Sequence, residues 1–269
     1  MFSWLTNQTP SPVLIDFGFI TIHWYGLLVA LAIVSGLLVT YCLYQKYNLK
    51  RDLFWDISFY VIIFAFIGDR LVHVFLYEWE YYSQHLVDIF KVWQGGLAIH
   101  GAIFVGILVV YIFAKRKKLS FWTLSDVFIP AVALGLAIGR WGNYFNQEIY
   151  GLPTKIFLAI PIDRIYRMVG FENFDSFHPL FLYASALNLL IFGVLILAHY
   201  LKLKRKIKIK EGGILILFLL LYGVGRFCLE FLRIDSQPNL LNMRMGQWLS
   251  LVTVFLAMGL MFVRKKRLD

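Results

Sequence analysis

Two cysteines are all that the 269 residues contain, and both Cys42 and Cys228 lie inside apolar runs. Neither a disulfide framework nor a zinc site is indicated by such a pair. Charge is scarce as well: 16% of residues are Asp, Glu, Lys or Arg, against 60% hydrophobic, and mean hydropathy is +0.70. A chain so composed is not a soluble globular domain. Apolar–polar alternation is missing from the long apolar runs, which argues against a transmembrane β-barrel. No basic n-region precedes the first apolar run, so residues 1–17 do not read as a cleavable leader and that run is expected to be retained. No internal repeat is visible, which counts against the duplicated transporter architectures.

What the sequence does have is a series of seven apolar stretches, near residues 22–44, 55–77, 95–114, 124–139, 179–200, 212–232 and 247–263. These are read as spans of a hydrocarbon layer about 30 Å thick. The expected fold is an all-α integral membrane protein, a bundle of about seven transmembrane helices forming a single polytopic domain over residues 1–269. The fourth stretch is short and reads as tilted or partly re-entrant. Lys46, Lys50 and Arg51 follow the first, Lys115 to Lys118 the third, six basic residues between Lys202 and Lys210 the fifth, and Arg264 to Arg267 the last. By the positive-inside rule this side is cytoplasmic, which puts the N-terminus outside and the C-terminus inside. The net charge of +10 is therefore a topology signal, and no nucleic-acid partner is expected. Residues 141–178 form the longest connection and read as a folded external cap between helices 4 and 5. The run 202–210 alternates Lys with Leu and Ile and reads as an extended cytoplasmic link.

The polar chemistry is concentrated in Gly139-Arg140-Trp141-Gly142-Asn143-Tyr144-Phe145-Asn146-Gln147-Glu148-Ile149-Tyr150-Gly151. An arginine at the edge of hydrocarbon is costly unless it meets an anion, water or a carboxylate. Carboxamides add neutral donors, and glycines let the backbone approach a ligand closely. These are the parts of an anion pocket at a bilayer edge; a polar helix end with Arg140 paired to Glu148 is the plainer alternative. In the sixth stretch Tyr222, Arg226, Glu230 and Arg233 are spaced four, four and three and make one polar stripe. His100 sits among Gly95, Gly96 and Gly101, which leaves room around an imidazole suited to proton transfer near neutral pH. Asp69 and His73 share a helix face, as an ion-pair cluster or a substrate-side pair, and Asp126 fits the N-cap of the fourth span. No His, Asp or Glu set has convincing metal-ligand spacing, so no metal or cofactor is expected.

The motif at 139–151, Gly-Arg-x-Gly-Asn-aromatic-hydrophobic-Asn-x-Glu-x-x-Gly, resembles the signature of the bacterial prolipoprotein diacylglyceryl transferase family, with Tyr144 where Phe is usual. Further elements resemble that family in order along the chain. They are His23-Trp24-Tyr25-Gly26, Gly-x-Arg-Leu at 68–71, Gly-Gly-Leu-x-x-His-Gly at 95–101, Gly-Arg-Phe-x-x-Glu-x-x-Arg at 225–233, and Met245-Gly246-Gln247 with Ser250. Two departures are Ala102 for a frequent Gly, and Ala184 where His-Pro-x-x-Leu-Tyr-Glu ends in Glu.

The resemblance implies transfer of the diacylglyceryl group of phosphatidylglycerol to the lipobox cysteine of a prolipoprotein signal peptide, in the plasma (inner) membrane, by a multi-pass monomer without a cofactor. It implies Arg140, Arg226 and His100 as catalytic residues, the arginines for the leaving phosphate and His100 as base, with deprotonation by arginine charge alone as the rival. Tyr25, Arg70, Asn143, Asn146, Glu148, Gly151, Tyr222, Glu230 and Arg233 are the implied substrate-binding set. A seven-span receptor and an anion or lipid transporter share the topology. The light-driven receptor needs a lysine in its last span, and 247–263 has none. The clustering of polar residues in the outer half favours an interfacial enzyme over a transporter.

Overall fold

The structure, a computed structural model, describes residues 6, 8–92, 95 and 99–266. Among these residues seven helices of 18 residues or more follow a short hairpin. The hairpin pairs β1 (Val13–Asp16) with β2 (Thr21–His23) antiparallel. The helices are α1 (Trp24–Lys46), α2 (Arg51–Val72), α3 (Ile99–Lys117), α4 (Phe121–Phe145), α5 (Leu180–Leu203), α6 (Gly213–Glu230) and α7 (Met245–Lys266). Between α4 and α5 lies the pair β3 (Ile160–Pro161) and β4 (Ser176–Phe177), and between α6 and α7 the pair β5 (Asn239–Leu240) and β6 (Met243–Arg244). Among the described residues six helices are long and apolar enough to cross a membrane: α1, α2 with the π-helical turn His73–Tyr77 that continues it, and α4 to α7. The protein is thus an all-α integral membrane protein. The third expected segment is present as α3, whose last turn carries Lys115, Arg116 and Lys117. Residues 96–98 of its glycine motif lie outside the described ones.

Three expectations are corrected. The fourth segment is not short: α4 has 25 residues and continues through the polar motif to Phe145, with Pro130 inside it. Asp126 is consequently no N-cap but a wholly buried residue inside the helix, while Ser120 Oγ accepts from Thr123 N at 3.3 Å at its start. The link after α5 is turn rather than strand: α5 runs on to Leu203 and Arg205 takes a positive φ of 56°.

The chain packs as two compact units, residues 41–127 and residues 1–40 with 128–269. In the first, α2 and α3 cross at Gly68 and Gly101, where a Cβ on Gly101 would lie 2.1 Å from the Gly68 carbonyl oxygen. In hydrocarbon no water drives helices together, so close backbone approach at small residues supplies the packing. The same device recurs in the second unit, where a Cβ on Gly223 of α6 would meet Val254 of α7 at 2.8 Å. Ser185 Oγ also donates to the Ala137 carbonyl, tying α5 to α4 at 2.9 Å. Ala133, Ile191, Leu195, Ile214 and Phe218 form the core between α4, α5 and α6.

The connection after α4 is folded, as expected of a cap. Tyr150, Ile160, Ile162 and Phe177 build its core against Tyr144 and Phe181. The Tyr150 hydroxyl donates to the Tyr166 carbonyl at 2.8 Å and accepts from Met168 N at 2.7 Å, while burial pushes its phenol pKa up. The cap then joins the end of α6, through Leu152 N to Leu232 O at 2.9 Å and a bridge between Gly151 and Arg233.

Candidate active site

The last two turns of α4 carry the first half of the site. Arg140 and Asn143 are three apart on one face, and Arg140 Nη1 donates to Asn143 Oδ1 at 3.2 Å. Asn143 Nδ2 donates to Glu148 Oε1 at 2.9 Å, and Asn146 Nδ2 reaches the same oxygen at 3.3 Å. Glu148 therefore acts on Arg140 through Asn143. Between them Gly142 receives the Tyr25 ring so closely that a Cβ there would lie 2.4 Å from Tyr25 Cδ2. Trp24, next to it, stacks on Phe145 at 4.4 Å between ring centroids.

The chain leaves α4 through a strained turn. Gln147 and Ile149, on either side of Glu148, have φ of 54° and 53°, in the left-handed region that a β-branched residue rarely enters. Contacts from outside the turn hold it. Gln147 Nε2 donates to Pro10 O at 2.9 Å and Asp163 Oδ2 at 2.7 Å, and its Oε1 accepts from Asp163 N at 2.7 Å. Strain of this kind persists where surrounding structure over-determines it, and often at functional sites.

The second half stands at the end of α6. Glu230 is fully buried; its Oε2 pairs with Arg226 Nη2 at 2.9 Å and its Oε1 faces Arg233 Nε at 3.6 Å. A buried carboxylate is tolerated only when paired in this way. Arg233 is held mainly by Asp235, which accepts from its Nε at 2.7 Å and its Nη2 at 2.5 Å. Burial opposes ionisation of Asp235, yet the hydrogen bonds from Arg233 and Gln237 and the charges of Arg233 and Arg244 hold its carboxyl below the ordinary range. Tyr222, two turns back on α6, stacks on Phe218 at 5.4 Å.

The two halves meet. Arg140 and Asn143 from α4, Arg226 from α6 and Ala184 from α5 line one pocket, with Ile149, Leu180 and Phe181. Two guanidiniums lining one small space offer the charge and the planar donor geometry that suit an anion.

That site sits in a chain whose residues 12–263 match the family model described as prolipoprotein diacylglyceryl transferase. The chain belongs to the prolipoprotein diacylglyceryl transferase family. It is 42% identical over 265 residues to the phosphatidylglycerol–prolipoprotein diacylglyceryl transferase of Trichormus variabilis, covering 97% of this chain and 93% of the relative. Identity is 41% over 249 residues to the Synechocystis protein of the same name, covering 93% and 87%, and 42% over 265 residues to that of Nostoc, covering 97% and 92%.

Within this transferase fold, Ala184 takes on meaning. It is 5% exposed and lines the arginine pocket, so the position expected to hold a family Glu faces both guanidiniums. Gly151 has a steric reason for being glycine: a Cβ would lie 2.8 Å from His178 Cβ and 2.9 Å from Leu232 O, where the cap crosses the end of α6. Arg70 and His100 belong to the other unit. The Arg70 guanidinium donates to the carbonyls of Ile89 at 2.9 Å, Gly95 at 2.7 Å and Asp88 at 2.7 Å, which fastens the loop after the π-helical turn. His100 is exposed on the first turn of α3, and its neighbour Gly101 serves the crossing with Gly68. Asp235, Gln237 and Arg244, which surround Glu230 and Arg233, are absent from the sequence reading. They lie on an irregular connection where no periodicity marks a shared face; the one available signal is an Asp two residues beyond an Arg at a span's end.

Proposed function

We propose that this protein transfers the diacylglyceryl group of phosphatidylglycerol to the thiol of a lipobox cysteine in a prolipoprotein, the first step of lipoprotein maturation. The work is done by a monomer at the outer face of the bacterial plasma membrane. The observation that carries the reading is the pocket shared by Arg140 and Arg226, on two different helices.

In the reaction, the thiolate sulfur forms a bond to the glycerol methylene carbon as the bond from that carbon to the phosphate oxygen breaks. The electron pair leaves with the phosphate, giving a thioether and glycerol 1-phosphate. Negative charge grows on the phosphate along this path, so two guanidiniums in a low-dielectric pocket stabilise the transition state more than the ground state. Asn143 and Asn146 orient headgroup oxygens, Glu148 and Glu230 keep the arginines aimed, and Tyr25, Tyr222, Gly151 and Arg233 shape or support the substrate site.

The thiol must first lose its proton, since thiolate is the nucleophile. His100 is the proposed base. His100→Gln should be slow near neutral pH and recover toward the thiol's own pKa of about 8.5; a pH–rate profile parallel to wild type assigns deprotonation to the arginine charge instead.

The test of the whole reading is direct. Purified protein, phosphatidylglycerol and a lipobox peptide should yield a peptide heavier by one diacylglyceryl group, and a Cys→Ser peptide should stay unchanged. No mass gain on the cysteine peptide would sink it.

A further inference from the structure

We propose that Gln237, which belongs to none of the motifs above, is a positioning residue that assigns each of two carboxylates to its own arginine. The proposal rests on the reading of Arg226 as the group that meets the leaving phosphate. The Gln237 carboxamide is engaged at both ends. Its Nε2 donates to Glu230 Oε1 at 2.8 Å and to Asp235 Oδ2 at 3.0 Å, and its Oε1 accepts from Gly246 N at 3.1 Å. A primary amide has two N–H donors, and here each goes to a different carboxylate. The result is a division of labour. Glu230 keeps Oε2 for Arg226 at 2.9 Å, while Asp235 takes Arg233 in a two-point pair.

Without a neutral bridge, Glu230 and Asp235 would compete for Arg226 and Arg233, and Arg233 already stands 3.6 Å from Glu230 Oε1. The surroundings are built to fix the bridge. Arg244 donates to the carbonyls of Arg233 and Asp235 and, at 3.4 Å, to that of Glu230, so the connection from α6 to β6 folds back over the carboxylate. Gly246 lies so close that a Cβ would meet the Glu230 carboxyl carbon at 2.5 Å. The charged groups around Gln237 are therefore Glu230, Arg226 and Arg233 from α6 and its end, Asp235 from the connection, and Arg244 from β6. Only a side chain of this length that donates twice and carries no charge serves that place.

The test is steady-state transfer by the full-length protein, with kcat and KM for phosphatidylglycerol measured separately. Gln237→Met keeps the length and removes the donors; kcat should fall ten- to hundredfold with KM within threefold. Gln237→Glu keeps shape and the acceptor toward Gly246 but sets a third carboxylate beside Glu230 and Asp235, so its kcat should fall at least as far. In a Glu230→Gln background the Gln237→Met substitution should cost less than threefold, because residues acting as one unit are not additive. Near-wild-type kcat in Gln237→Glu, or full additivity with Glu230→Gln, would reduce Gln237 to a space-filling residue and overturn the proposal. Arg226→Ala in the same assay separates the two levels. If it alone keeps the wild-type rate, the reading of Arg226 fails; if it is crippled while both Gln237 variants are normal, only the positioning role fails.

Discussion

A guanidinium has five N–H donors, and the arginines of this protein differ in how many the fold uses. Arg70 gives donors to three carbonyls, Arg244 likewise to three, and Arg233 is held at two points by one carboxylate. Arg140 makes one hydrogen bond and Arg226 one close ion pair among the described residues, and these two line the same pocket. Replacing either by Ala should lower the transfer rate about 10²–10³-fold, or about 2.7–4 kcal/mol, as for loss of one transition-state donor. Lys should restore only part of it, since an ammonium lacks the planar fork that grips two phosphate oxygens. Arg70→Ala should behave differently. Its three half-buried or exposed carbonyl partners lose a charged donor, so unfolding in detergent should be easier by about 1.5–3 kcal/mol, with kcat per folded molecule less affected than in the pocket variants. Asp235 adds a pH dependence. Its folded-state pKa is depressed, so its stabilisation is complete above the unfolded value of about 3.9 and is lost as pH falls through the lower folded value. Thermal unfolding of Asp235→Asn should start from lower stability at neutral pH and show a shallower acid limb than wild type; an unchanged acid limb would contradict this.

At the level of elements, glycines say where helices touch, and the two kinds can be told apart by substitution. Gly101→Ala would drive a Cβ to 2.1 Å from the Gly68 backbone, where nothing flexible can yield, whereas Gly106 on the same helix has nothing within 4 Å of the corresponding position. Gly101→Ala should destabilise the protein by about 1–3 kcal/mol, as overpacking does, and Gly106→Ala should be neutral or slightly stabilising. Equal unfolding midpoints for the two would contradict the crossing. The sequence makes such glycines visible but not their purpose: around His100 they read as space for an imidazole, and Gly101 turns out to serve the crossing. The helices themselves were legible because apolar runs of about 20 residues admit few readings in a bilayer. The end of α4 was not, because Arg140, Asn143 and the flanking glycines resemble a helix terminus, while in the fold all of them stay helical and Arg140 and Asn143 line the pocket. Arg226, Glu230 and Arg233 were legible for the opposite reason, since helical spacing alone puts them on one face. Their partners beyond position 233 come from an irregular connection, where spacing carries no such information.

At the scale of the whole molecule, α3 decides the number of crossings. Its 19 residues rise about 28 Å, close to the thickness of a hydrocarbon core, and its last turn holds Lys115, Arg116 and Lys117. Those charges suit a helix C-terminus by dipole and a cytoplasmic end by the positive-inside rule. With α3 crossing, the loop containing Ser83 and the cap containing Phe157 face outward, while Arg116 and Lys206 face the cytoplasm. With α3 lying flat, Ser83 and Arg116 share a side. Single cysteines at these four exposed positions, in a background without Cys42 and Cys228, should therefore split two and two. An impermeant thiol reagent added to intact cells should label positions 83 and 157 and leave 116 and 206 untouched until the membrane is broken. Equal labelling at 83 and 116 would remove α3 from the membrane. Loss of labelling at 157 would be graver, because the pocket lies where α4 and α6 run into the cap, and a cap on the cytoplasmic side would carry Arg140 and Arg226 away from the outer leaflet on which the proposed reaction depends.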